Sequence, residues 1–240
     1  MYLRKGKLVF YSAFVVIAAT VMTSCLKSVE NTPPKPLTFV SVLHLAPAAP
    51  DVDVYLNGTK STNAPIPSGS FFSRYSALDP NVYAVTFKKG NSDSVVASIP
   101  AEPYDSLKYA TLVLYNDPYG PGVKAVKIDD NFSQLNGNQT NFRFFHLAPG
   151  LMPVDVYLGN ELIASSRQYA DNITNPLYNQ FTSREASTYL LTVKKAGSDS
   201  TILTTNAGLN IGQAYTILLT GEPNGIGAHS LAIDVLMAQN

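Results

Sequence analysis

Two histidine–aspartate pairs are the residues of this chain best suited to chemistry. His44 precedes Asp53 in HLAPAAPDVDVYLNG, and His146 precedes Asp155 in the similar phrase HLAPGLMPVDVYLGN. An imidazole and a carboxylate are two members of a catalytic triad, or two metal ligands. A triad also needs a nucleophile, the chain has no GxSxG turn, and a zinc site needs three or four ligands. We therefore predict no enzyme activity, metal or cofactor. We assign all four residues to a structural corner, where each histidine bonds to a corner carbonyl or to the nearby aspartate.

The residues around both pairs have the pattern of β-strands. In VDVYL at 52–56, apolar residues alternate with Asp53 and Tyr55, which is the period of a half-buried strand. The runs VYAVTF, YLLTVKK, ATLVLY and AYTILLT are β-branched and aromatic, and KKGNSDS and KKAGSDS have the composition of hairpin turns. His44 alternates in phase with Val40 and Val42, so we expect it on the core face at a strand end.

The chain consists of two copies of one unit. The two histidines are 146 − 44 = 102 residues apart, whereas VYAVTFKKGNSDS and TYLLTVKKAGSDS are 188 − 82 = 106 apart. This drift places a short insertion in the second copy between Tyr157 and Leu177. Short strands separated by turns predict an all-β fold: two tandem antiparallel β-sandwich domains of the immunoglobulin-like kind. We place repeat 1 at 38–132, a linker at 133–141 and repeat 2 at 142–240.

The N-terminus has the pattern of an exported, lipid-anchored protein. A basic start at residues 4–7 precedes an apolar run at 8–21, too short to span a bilayer, which needs about 20 residues. The sequence MTSC at 22–25 resembles the lipobox of bacterial lipoproteins, and Cys25 is the only cysteine. We predict a signal peptide (1–24), acylation of Cys25 by a lipid such as palmitate, and a proline-rich tether (25–37). The anchor would hold the protein at the outer membrane, with its periplasmic or surface orientation left open.

The repeated phrase resembles a family of extracytoplasmic bacterial proteins known as a domain of unknown function, number forty-three ninety-seven. The start HLAPxxPxVDVY, often in tandem, marks that family, and here the resemblance covers both repeats. It implies a β-sandwich in the cell envelope, in a lipoprotein of the Bacteroidota type. It carries over no catalytic residues.

The charge of the chain argues against nucleic-acid binding. The full sequence has 17 basic and 17 acidic residues, and removing Arg4, Lys5 and Lys7 with the signal leaves 14 basic residues against 17 acidic. No basic run follows the signal, so the electrostatic footprint of a nucleic-acid-binding protein is missing.

Tyrosines on predicted loops are the candidate ligand-binding residues. Tyr115 and Tyr119 flank a proline–glycine turn in YNDPYGPG, and Tyr169 and Tyr178 lie in the insertion of repeat 2. Aromatic rings on rigid loops supply contact area at a low entropic cost, although sheets are rich in tyrosine without any ligand. Both interpretations stay open.

Three serines follow aspartates in a pattern that resembles O-glycosylation sites of exported Bacteroidota proteins. They are Ser94, Ser106 and Ser200, in DSV, DSL and DST. Asp-Ser is also ordinary turn chemistry.

Together these features predict a non-enzymatic envelope lipoprotein that binds a glycan or a protein partner and touches the membrane through its acyl anchor. The alternative is a structural or adhesive spacer without a defined ligand pocket. The two differ in whether the loops form one concave surface.

Overall fold

The computed structural model describes residues 35–72 and 74–238. The predicted signal peptide, Cys25 and most of the predicted tether lie outside these residues. From Pro36 onward the chain forms one compact unit. Within the described ranges, no helix is both long enough and apolar enough to span a bilayer.

Repeat 1 is a sandwich of two sheets. One sheet has the strand order β4-β1-β8-β9, with β5 also paired to β1, and the other has the order β3-β2-β6-β7. The strands are β1 (Thr38–Leu45), β2 (Val52–Leu56), β3 (Thr59–Lys60), β4 (Ser70–Phe71), β5 (Ser76–Leu78), β6 (Asn81–Lys89), β7 (Val95–Tyr104), β8 (Tyr109–Asn116) and β9 (Val123–Asp130).

Repeat 2 has the same two-sheet plan, with orders β13-β10-β16-β17 and β12-β11-β14-β15. Its insertion carries a short helix α1 (Asp171–Thr174) and a 3-10 turn (Pro176–Asn179), and a second 3-10 turn (Gly227–His229) follows β16. The strands are β10 (Thr140–His146), β11 (Val154–Leu158), β12 (Glu161–Arg167), β13 (Thr182–Arg184), β14 (Ser187–Lys195), β15 (Thr201–Leu209), β16 (Ala214–Thr220) and β17 (Ala232–Met237).

The predicted all-β sandwich fold is confirmed. The alternation of apolar and polar residues did not predict one feature, which is a parallel strand pair in each repeat. The first strand of each repeat pairs in parallel with the strand before the last: β1 with β8, and β10 with β16. The other strand pairs are antiparallel. Phe39 faces Tyr109 in repeat 1, and Asn141 faces Ala214 in repeat 2, so the parallel pairs share one register.

Three apolar clusters form the core. One fills each sandwich, around Phe87 in repeat 1 and around Leu191 in repeat 2. The third contains Leu43 and Val113 from repeat 1 together with Phe145 and Leu218 from repeat 2. Strands β8 and β10 are therefore buried on both faces, because one face fills a sandwich and the other fills this shared cluster. The division of the chain into two repeats with a linker at 133–141 stays a prediction. The two repeats share a core cluster.

Candidate functional site

Both corner histidines are fully buried at the end of a strand. The Nε2 atom of His44 lies 2.9 Å from the carbonyl oxygen of Pro50, which is the corner-carbonyl contact expected for it. The Nδ1 atom of His146 accepts a hydrogen bond from the amide of Ala148 at 3.4 Å. Burial lowers the pKa of His44, and it lowers the pKa of His146 to about 4. Both imidazoles are therefore neutral near pH 7.

The two aspartates bond to hairpin turns and not to the histidines. Asp53 accepts a hydrogen bond from the amide of Asn91 at 3.0 Å, and Lys60 lies 2.9 Å from its carboxylate. Asp155 accepts from the amides of Ser166 at 2.7 Å and Gly197 at 2.9 Å. These hydrogen bonds lower the pKa of Asp53 and of Asp155.

The aspartate of the repeated phrase therefore ties strands of one sheet together. Each aspartate on the second strand of its repeat holds the turn in KKGNSDS or KKAGSDS, between β6 and β7 or between β14 and β15. Within the described residues, no group of three or more His, Cys, Asp or Glu side chains is arranged to hold a metal ion.

The four candidate tyrosines do not form one exposed surface. Tyr115 is buried in the shared cluster, and the hydroxyl of Tyr169 donates to the carbonyl of Asn116 at 2.8 Å beside it. The ring of Tyr178 lies 3.8 Å from the guanidinium of Arg167. Tyr119 alone of the four is largely exposed, at 82 %. Ligand binding by these residues stays a prediction.

The three candidate serines are exposed. Ser94 and Ser200 lie at equivalent ends of the two hairpin turns, and Ser106 lies in the turn between β7 and β8. Their hydroxyls are therefore accessible to modification, which stays a prediction.

A cavity of about 630 Å³ opens in repeat 1 where β7 and β9 end and β8 begins. We call it the Tyr104 cavity. Its wall combines aromatic rings, an exposed aliphatic side chain and charged groups, supplied chiefly by Tyr104, Leu107, Tyr109, Lys127, Asp129 and Phe132. The volume lies within the roughly 300–1,000 Å³ of small-molecule sites.

Tyr104 supplies an unusual polar group to this cavity. The side chain is 2 % exposed, and its hydroxyl is buried without a hydrogen-bond partner among the described residues. Burial raises the pKa of Tyr104 well above its ordinary value, so the hydroxyl stays a donor. An unpartnered buried hydroxyl costs about 1–3 kcal/mol, which an acceptor placed against it would recover.

Other charged and aromatic residues of the cavity wall are held by their own contacts. The ammonium of Lys127 lies 4.8 Å from the centre of the Tyr104 ring, donates to the carbonyl of Pro103 at 3.0 Å and pairs with Asp129 at 2.9 Å. Tyr109 stacks on Phe39 with ring centres 4.7 Å apart. The cavity therefore has rigid walls.

Leu107 has a strained backbone at the cavity mouth. Its φ is +59°, in the left-handed region that favours glycine, and its side chain is 69 % exposed. The equivalent residue of repeat 2 is Gly212, with φ +72°. Residues in sparsely populated backbone regions cluster at active sites and ligand clamps, so the conformation of Leu107 agrees with a binding role for the cavity.

At the positions of repeat 2 that strand pairing makes equivalent to the cavity residues, the side chains are of other types. Strand pairing makes Tyr104 equivalent to Leu209, Tyr109 to Ala214, Lys127 to Val235 and Asp129 to Met237. The sequence carried this signal in the differences between the copies, whereas the duplication is recognised from their similarities.

The fold and its sites define an all-β protein made of two β-sandwich repeats with a shared core. The chain belongs to the family described as Domain of unknown function (DUF4397), whose model matches residues 38–157. That match covers repeat 1 and the first two strands of repeat 2. The comparison with curated proteins found no match.

Proposed function

We propose that this chain is a non-enzymatic lipoprotein of the cell envelope whose repeat 1 binds a glycan in the Tyr104 cavity. The observation that carries the proposal is the buried, unpartnered hydroxyl of Tyr104 in a cavity whose lining residues are replaced by other residue types in repeat 2. The envelope setting is supported by the signal-peptide pattern and by Cys25 at its end. A spacer without a ligand pocket is less well supported, because a spacer would not require a cavity of this volume with an unpartnered polar group in its lining.

The chemistry of the cavity suits a sugar. Tyr109 and Phe132 give the wall apolar surface on which C–H groups of a pyranose can pack, and an aromatic wall with a few fixed polar groups is the common plan of a binding site. The hydroxyl of Tyr104 and the ammonium of Lys127 are donors, whereas the carboxylate of Asp129, which is 81 % exposed, is an acceptor. Sugar hydroxyls can satisfy both kinds of group.

The test is a Tyr104→Phe variant of the chain from residue 26, which retains the whole compact unit. We expect the wild type to bind at least one member of a panel of plant, mucin and bacterial-envelope oligosaccharides, measured by isothermal titration calorimetry. The variant should bind about tenfold more weakly, from the loss of one hydrogen bond of about 1.4 kcal/mol. Its free energy of unfolding should rise by about 1 kcal/mol, because the unpaired hydroxyl is gone.

Tyr83→Phe is the matched control. The Tyr83 ring packs edge-on against Tyr104, but its hydroxyl donates to the carbonyl of Asp79 at 2.9 Å. This variant should lose up to about 1 kcal/mol of stability and keep its affinity. No saturable glycan binding by the wild type, or equal affinities of wild type and Tyr104→Phe, would contradict the proposal.

A further inference from the structure

A second and larger cavity opens between the two sheets of repeat 1. It has a volume of about 730 Å³, and its floor is aliphatic: Val40, Val42, Val54, Leu56, Leu78 and Leu112. Its walls are the chain between β3 and β4 and the chain around β4 and β5. We call it the intersheet groove. It is separate from the Tyr104 cavity, since no residue lines both.

Larger side chains occupy two of these positions in repeat 2. Val40 is equivalent to Phe142, and Val42 is equivalent to Phe144. Both phenylalanines are 4 % exposed and belong to the core cluster of repeat 2. The guanidinium of Arg167 lies 5.3 Å from the centre of the Phe144 ring and donates to the Phe144 carbonyl at 3.1 Å. Repeat 2 thus packs two phenylalanine rings into its core at positions where repeat 1 has valines that line the groove.

The edge strand also differs between the repeats. In repeat 2, β12 runs for seven residues and packs Ile163 and Ala164 against the core. In repeat 1, β3 has two residues, and the chain leaves the sheet until Ile66 pairs with Val52. The groove therefore opens at this edge, where Phe72 is 50 % exposed.

The shape and the rim limit what can occupy the groove. Stacked sheets lie about 10 Å apart, so a slot between them admits a molecule about one side-chain layer thick, such as a single hydrocarbon chain. The rim carries the exposed polar residues Ser61, Asn63 and Ser76 and the exposed cation Arg74. Arg74 has no ion pair within the described residues, so its charge is available for an anionic group.

We propose that the intersheet groove binds a single-chain anionic amphiphile, with its hydrocarbon chain against Val40, Val42 and Leu112 and its carboxylate at Arg74. Burial of the chain would contribute about 0.8 kcal/mol per methylene group removed from water. This site is independent of the glycan site, and neither proposal rests on the other.

The test measures binding of tetradecanoate and of tetradecanol to the chain from residue 26 by isothermal titration calorimetry, below the concentration at which either aggregates. We expect saturable binding of both. Val42→Phe, which installs the residue found at this place in repeat 2, should weaken both by at least tenfold. Arg74→Gln should weaken tetradecanoate about fivefold and leave tetradecanol unchanged, because only the carboxylate uses the cation.

Val82→Phe is the matched control, because it adds the same ring on β6 at a side chain that is 52 % exposed and lies outside the groove. It should leave both affinities unchanged. A diazirine-bearing tetradecanoate supplies a readout that needs no variant: after photolysis its adducts should map to residues 40–78. Absence of saturable binding, equal binding by a folded Val42→Phe variant, or adducts elsewhere would overturn the proposal.

Discussion

At the scale of single residues, His44 and His146 join two chain segments at a buried corner without carrying charge. Burial is the main cause of their lowered pKa values, because a buried imidazolium would lose its hydration. The folded state therefore resists protonation of both rings. Acid has to unfold or distort the corner before it can charge them.

Stability should consequently fall with pH in a window set by these rings. The unfolded state protonates histidine near pH 6.5, whereas folded His146 protonates near pH 4. The unfolded state binds more protons between these values, so the stability is full above about pH 6.5 and is lost as the pH falls toward 4. For His146 alone the loss is about 3 kcal/mol. Urea unfolding at pH 7.5, 5.5 and 4.5 measures it.

His146→Gln is the control, since glutamine does not titrate. The variant should have a smaller loss of stability between pH 7.5 and 4.5 than the wild type, whatever its stability at pH 7.5. Asp53 and Asp155 have lowered pKa values and contribute stability that is lost only at a lower pH. Burial raises the pKa of Asp234, but this group is present in both proteins and cancels in the comparison. A pH dependence identical in variant and wild type would show that His146 is not the titrating group.

At the scale of elements, each sandwich depends on an aspartate that fastens a hairpin to the neighbouring strand. Asp155 on β11 accepts hydrogen bonds from Ser166 on β12 and from Gly197 in the β14–β15 turn. The neighbour of β11 on one side, β12, and the hairpin on its other side, β14–β15, are thus bound to the same carboxylate. The position explains why VDVY and the Lys-Lys turn recur together in both repeats.

Asp155→Ala should lower the free energy of unfolding by about 2–3 kcal/mol, because it leaves two backbone N–H groups without an acceptor. Chemical denaturation followed by circular dichroism measures the change. Asp199→Ala on the same hairpin is the control. Asp199 is fully exposed and pairs only with Lys194, at 3.2 Å, so its loss should change stability by less than about 0.5 kcal/mol. Equal effects of the two substitutions would contradict this role.

The alternation of apolar and polar residues and the repeated sequence predicted the strands well, but they predicted poorly which side chains are buried. VDVYL and the KKGNSDS turn were recognisable because each side chain there is set by local pattern. Tyr115 was predicted as a loop residue for a ligand, yet β8 is a continuous apolar run, ATLVLY, of the kind buried on both faces. Tyr104 and the Val40 and Val42 floor gave no local signal, because a cavity is defined by what distant residues leave unfilled.

At the scale of the whole molecule, one buried ion pair joins the repeats. The guanidinium of Arg143 on β10 lies 2.7 Å from the carboxylate of Asp130 on β9, with side chains 1 % and 0 % exposed. Thr111 and Tyr75 donate to Asp130 at 2.6 and 2.8 Å, and Arg143 donates to Thr216 at 2.9 Å. Each charge therefore has its counter-charge in the other repeat and a hydrogen-bond partner in its own repeat.

Asp130→Ala should lower the free energy of unfolding by about 3–5 kcal/mol, because it leaves a buried guanidinium unpaired. Ala is also the residue at the equivalent position of repeat 2, Ala238, and Ser41 is the equivalent of Arg143 in repeat 1. The double variant Asp130→Ala with Arg143→Ser should therefore be more stable than the sum of the single effects predicts, by at least about 2 kcal/mol. Strict additivity in denaturation experiments would show that the pair is not coupled.

The asymmetry of this ion pair has a consequence for exchange between the two halves of the chain. Two identical copies of repeat 1 would place Ser41 against Asp130, and two identical copies of repeat 2 would place Arg143 against Ala238. Either combination buries one charge without its partner. The two halves are therefore complementary and not interchangeable, and exchange of one half alone would leave a buried charge unpaired.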